Sequence, residues 1–218
     1  MRVETLFTEA DLATIAEATR VAEARTSAEI VAYVVGQCDD YEEAAWKGAA
    51  FGALAASGAA GLLHLVGEFW GGHGVIWITA PTALGAVLGY LATLWSAPLR
   101  RSLISQAERE AHVRARAKVA FLDEEVFRTR DRTGILLFVG LFEHRVEVLA
   151  DTGIHTKVPP SEWQAIAARL TEGVKTRRAA PAFVDAIHAC ARLLEERGFL
   201  RADADLNELG DSPRMRDS

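Results

Sequence analysis

The 218-residue chain is short of cysteine, of net positive charge and of any catalytic signature, and each shortage excludes something. Cys38 and Cys190 are its two cysteines, too few for a zinc site. They are expected to be buried, reduced, apolar-behaving thiols of a cytosolic compartment. Lys and Arg number 24 against 30 Asp and Glu, a net charge of −6, which argues against a general nucleic-acid binder. No Cys-x5-Arg loop is present, no DxDx-type nucleophile motif stands at the first strand, which ends in GQCDD, and no glycine-rich phosphate cradle precedes a helix. Acidic residues follow Cys38 and would raise its thiol pKa. His112, His144, His155 and His188 are scattered, without metal-ligand spacing. The opening segment, MRVETLFTEADL, lacks the apolar core of a signal peptide, so the first part of the chain is expected to stay in the cytosol.

Two runs stand out because they lack charge. Residues 48–67, GAAFGALAASGAAGLLHLVG, and 75–94, VIWITAPTALGAVLGYLATL, contain no Asp, Glu, Lys or Arg. Each is about the 20 residues that a helix needs to cross a bilayer. Only EFWGGHG separates them, so they read as a membrane hairpin over residues 44–98. Trp46, Trp70, Trp77, Tyr90 and Trp95 lie near the run ends, where amphipathic rings favour the headgroup layer. Gly48/Gly52, Ser57/Gly61 and Gly85/Gly89 are small residues four apart, a spacing that lets helices approach closely in lipid, within a chain or between two copies. Lys47 precedes the first run and Arg100 and Arg101 follow the second, while the connecting loop has Glu68 and no Lys or Arg. The positive-inside bias then predicts a multi-pass inner-membrane protein with both termini cytosolic and membrane lipids as partners. Further basic residues at Arg109, Arg114, Arg116 and Lys118 suit either a solvated helix face or an anionic lipid surface.

The remainder alternates helix and strand. Thr8 with Asp11 forms a capping box before a helix, and EIVAYVV (29–35) reads as a buried strand. After the hairpin, residues 102–128 read as one long helix. TGILLFVGL (133–141) has no alternation and reads as a strand covered on both faces. RVEVLA (145–150) alternates, as expected for the return strand of a hairpin. Ser161 with Gln164 suggests a second capping box, Pro181 a last helix, and Gly198 its stop. The charged residues 201–218 are expected to be a flexible tail. The predicted fold is a small three-layer α/β/α sandwich with a short mixed sheet. It is formed by residues 1–41 and 102–200, with the hairpin inserted between the first strand and the middle helix.

The stretches TSAEIVAYVV (26–35) and DRTGILLFVGLFEHRVEVLADTGI (131–154), with two closing helices, resemble the TPM domain family of membrane-associated proteins. The resemblance covers residues 6–198. It implies a domain associated with acid-phosphatase activity and divalent-cation binding, calcium or magnesium. Members usually carry the domain outside the cytosol behind a signal peptide, and this chain departs from that pattern.

Ligands of open α/β sheets tend to lie beyond the carboxyl ends of strands. Those ends offer Asp39 and Asp40, then Glu143 and His144, then Asp151. Adjacent carboxylates can hold a hard cation. Glu143 and Asp151 should lie at opposite ends of the sheet, and Asp151 could join Asp39 and Asp40 only if the return strand runs antiparallel to the first, a choice the sequence leaves open. Capping of turns by polar residues is the simpler account of each. Lys175, Arg177 and Arg178 form a basic patch that reads as a solvated helix end or as a holder of phosphate or lipid headgroups. Two functions remain. The favoured one is a non-enzymatic interaction module, tethered at the cytosolic face and binding a membrane or envelope protein. The alternative is a metal-dependent phosphatase using Asp39, Asp40 and Asp151.

Overall fold

The structure is a computed structural model and describes residues 7–66, 75–201 and 208–217. The chain divides into two compact units. One takes the residues up to Asp39 and those from Arg109 onward, and the other is Asp40–Glu108. The connecting residues 68–74, with Trp70 and Glu68, lie outside the described residues.

The first unit is a three-layer α/β/α sandwich. Its elements are α1 (Glu9–Glu23), β1 (Glu29–Val35), most of α5 (Gln106–Asp123), β2 (Gly134–Gly140), β3 (Arg145–Ala150), α6 (Thr152–His155), α7 (Pro160–Lys175), α8 (Ala179–Glu196) and β4 (Arg214–Arg216). The sheet order is β3-β2-β1-β4. β1 runs parallel to β2 and β4, and β2 runs antiparallel to β3. Every residue of β1 and β2 is buried, including Glu29 at the head of β1, as near-continuous apolar runs require. Their side chains divide by strand periodicity. Ile30, Ala32, Val34, Ile135, Leu137 and Val139 join the core made with α1, α7 and α8. Val31, Tyr33, Val35, Leu136 and Phe138 face α5 through Val113, Ala117 and Ala120, with Tyr33 stacked on Phe138 at 5.5 Å.

Local chemistry sets the ends of these elements. Thr8 and Asp11 make the capping box of α1. Residues 102–128 are not one helix. A second capping box breaks them, in which Ser105 Oγ accepts from Glu108 N–H at 3.1 Å and Glu108 accepts from Ser105 N–H at 2.7 Å. α5 therefore starts afresh at Gln106, and Glu125 at φ 52° ends the turn after it. Ser161 does not cap α7, which begins one residue earlier on Pro160 with Pro159 outside it. The tail is not uniformly loose either. Residues 202–207 lie outside the described residues, but Arg214–Arg216 add β4 to the edge of β1.

The second unit holds α2 (Glu42–Val66), α3 (Ile76–Trp95) and α4 (Ala97–Ser102). α2 and α3 are long and apolar enough to cross a membrane, and only 6% of the most apolar stretch of either is buried. They pack on one another through glycine. A Cβ added at Gly52 would run into the Gly85 carbonyl, and one at Gly89 into the Gly48 carbonyl. Thr93, fully buried, turns its hydroxyl back to the Gly89 carbonyl at 2.9 Å. Near the same helix ends, Trp46 meets Tyr90 edge-on at 5.4 Å.

Candidate functional site

Within the first unit, the carboxyl ends of β1 and β2 coincide because the two strands are parallel. The turn after β2 closes over the segment leaving β1. Leu141 N–H donates to the Val35 carbonyl and Phe142 N–H to the Gly36 carbonyl, each at 3.0 Å. Glu143, wholly buried, then accepts from Cys38 N–H at 2.9 Å. Gly140 makes this possible, because a Cβ there would collide with the Glu143 carboxylate. His144, with φ 51°, turns the chain into β3.

The neighbouring polar side chains are paired. His112 on α5 meets Asp39 at 3.0 Å through Nδ1, and Arg145 meets Glu110 at 3.1 Å. Burial, then the Glu143 carboxylate beside it, pushes the Cys38 thiol far above its ordinary pKa. A thiol held protonated is a hydrogen-bond donor and a poor nucleophile. Burial likewise pushes Cys190 up to about 12. Both cysteines are free thiols, Cys190 buried and Cys38 half-buried.

Asp151 occupies the other end of the sheet. It is 4% exposed, caps α6 by accepting from Thr152 N–H at 2.6 Å, and pairs with Arg132 at 2.9 Å. The expected link between strand direction and clustering is thereby reversed. β3 does run antiparallel to β1, and antiparallel strands put their carboxyl ends at opposite edges. Asp39 therefore follows β1 at the same sheet end as Glu143, and Asp151 does not join it. Asp40 is exposed and opens the second unit. Among the described residues, no group of three His, Cys, Asp or Glu side chains is placed to hold a metal ion. His155 sits in α6.

A second carboxylate cluster was not foreseen. Glu23 is 3% exposed and accepts from Ile30 N–H at 2.8 Å. Glu29 accepts from Glu208 N–H at 3.2 Å and Leu209 N–H at 3.3 Å, tying the C-terminal segment to the start of β1. Burial above all pushes Glu23 up to about 9; the Ile30 bond opposes this, while Glu29 and Asp211 add to it. The available signal was Glu29 itself, a carboxylate heading a strand of otherwise apolar residues. Arg169 on α7, Arg178 just before α8, and Arg192 on α8 line two adjoining hollows with Asp185. Of these, only Arg178 belonged to the expected basic patch.

No family model matches the chain, and no curated protein matches it. Among solved structures, the NMR structure of the BA42 protein from the psychrophilic bacterium Bizionia argentinensis sp. nov. is similar, with a TM-score of 0.59 and 16% sequence identity over 98% of each chain. At that identity the likeness is one of fold.

Proposed function

We propose that the chain is a membrane-tethered interaction module, with α2 and α3 as a transmembrane hairpin and the α/β unit as a TPM-like, non-catalytic binding domain at the cytosolic face. The observation that carries this reading is the pair of helices itself. Two glycine-packed helices with 6% of their most apolar stretches buried suit hydrocarbon, whereas core helices of a water-soluble protein are mostly covered. Orientation rests on Lys47, Arg100 and Arg101 at one end, against a connection without Lys or Arg. The binding role rests on site chemistry: a thiol kept protonated, paired charges around it, and carboxylates split between the two ends of the sheet.

Alkaline carbonate extraction of membranes from expressing cells tests the tether. The chain should stay in the pellet, and a reporter fused after Ser218 should read cytosol. Release into the supernatant would overturn the hairpin, and an external reporter signal would overturn the orientation. The module reading calls for crosslinking from intact membranes, with a discrete partner expected on the α/β unit.

A further inference from the structure

We propose that the groove between α7 and α8 is the partner-binding surface of the α/β unit, and that it takes an acidic, extended peptide segment of another protein. This deepens the module reading and rests on it for the existence of a partner. The groove follows from how the two helices pack. Gly173 lets α7 approach α8 at Ala182, where a Cβ would collide with the Ala182 methyl. At the other end Arg197 reaches Glu162 at 3.5 Å. Between these ties the floor is apolar and small, with Ile166, Ala182, Ala186 and Ala189, so the surface dips. Two hollows of about 430 and 310 Å³ result, joined through Arg169, Ala182 and Asp185.

Helical spacing brings the charges to the walls. Arg169 and Glu172 lie three apart on α7, and Asp185 and Arg192 lie seven apart on α8. Arg178 lines the second hollow. Among the described residues, the guanidinium groups of Arg169, Arg178 and Arg192 make no ion pair with a protein carboxylate. Three guanidinium groups thus face two carboxylates, an excess of positive charge on a chain whose net charge is −6. A guanidinium binds carboxylate through two parallel hydrogen bonds, so the complementary ligand is acidic.

Shape decides between a small anion and a peptide. Small-ligand sites bury about 70–90% of their ligand, whereas Arg169, Arg178, Asp185 and Arg192 are all exposed and make shallow walls. Arg178 and Arg192 belong to different hollows, so acidic groups on one ligand must be spaced along its length. An extended chain with carboxylates meeting these arginines, and methylenes on the alanine floor, satisfies both conditions.

The test uses the full chain in lipid nanodiscs and a fluorescent peptide alternating glutamate and alanine, followed by anisotropy. Saturable binding is expected, with about tenfold weakening in R169Q/R192Q. Asp185→Asn should tighten binding, a gain that damage to the fold cannot imitate. Arg20→Gln, on α1, should leave it unchanged. Failure to bind, equal loss in Arg20→Gln, or full displacement by inorganic phosphate at matched ionic strength would each overturn the proposal. So would binding carried wholly by anionic lipid, absent from neutral nanodiscs. The two readings can fail separately. A discrete partner crosslinked away from α7 and α8, with no peptide binding, removes the groove and keeps the module. Peptide binding by a chain that carbonate releases from membranes keeps the groove and removes the tether.

Discussion

A few polar side chains in the interior set much of this protein's solution behaviour. Glu23 is the clearest, since burial holds it protonated up to about pH 9 from an ordinary value of 4.5. Between those values the folded chain keeps a proton that the unfolded chain gives up. Its contribution to stability is therefore fully present below pH 4.5 and is lost as pH rises through about 9. Glu23→Gln keeps an acceptor for Ile30 N–H and cannot ionise. Its melting temperature should fall less than the parent's across that window, and parallel curves by thermal denaturation would show that Glu23 does not titrate with folding. Glu143 illustrates a limit of sequence reading at the same scale. It was a candidate as a residue beyond a strand end, but its burial under Cys38 depends on Gly140 and on strand direction, neither of which local composition encodes.

At the scale of the element, caps and glycines decide where helices stop and how near they come. The Ser105–Glu108 box starts α5, and its loss in Ser105→Ala should cost about 0.5–2 kcal/mol, measurable by denaturant titration of the folded unit. That S-x-x-E pattern was legible in the sequence; a continuous helical periodicity over residues 102–128 concealed it. The Gly52–Gly85 and Gly48–Gly89 contacts put backbone against backbone. Gly52→Val should therefore force α2 and α3 apart, at about 1–3 kcal/mol for overpacking. Proteolysis of nanodisc-embedded protein should cut the variant's hairpin faster, and unchanged rates would mean that the helices do not pack this way in lipid. β1 and β3 were legible to the residue, because six apolar residues in a row behind Glu29 and a clean alternation have few other solutions. β4 was not, since RMR carries no strand signal and owes its state to the open edge of β1 and the bonds around Glu29.

For the whole molecule, the insertion leaves and rejoins the α/β unit at neighbouring points, as Asp39 and His112 touch at 3.0 Å. Ser105 precedes His112 by two helical turns, roughly 10 Å, a gap that about five linker residues cover. Joining Asp39 to Ser105 through a short Gly/Ser linker should give a soluble, cooperatively unfolding α/β domain, checked by circular dichroism and by hydrogen exchange in β1. An insoluble or molten product would show that the hairpin is part of the fold rather than an addition to it.

The sequence by itself determined the α/β class, the interruption by two uncharged runs, and β1 and β3. Those features follow from local hydrophobic pattern, which a chain carries wherever it is placed. Only the tertiary structure decided that β1 runs with β2 and against β3, and therefore that the segment leaving β1 meets Glu143, through Cys38, and not Asp151. It alone set α7 and α8 around a groove of arginines. Strand direction and helix crossing are settled by contacts between residues about a hundred positions apart, such as Cys38 with Glu143, and by single small residues such as Gly173 at the point of closest approach. No local window contains both partners of such a contact.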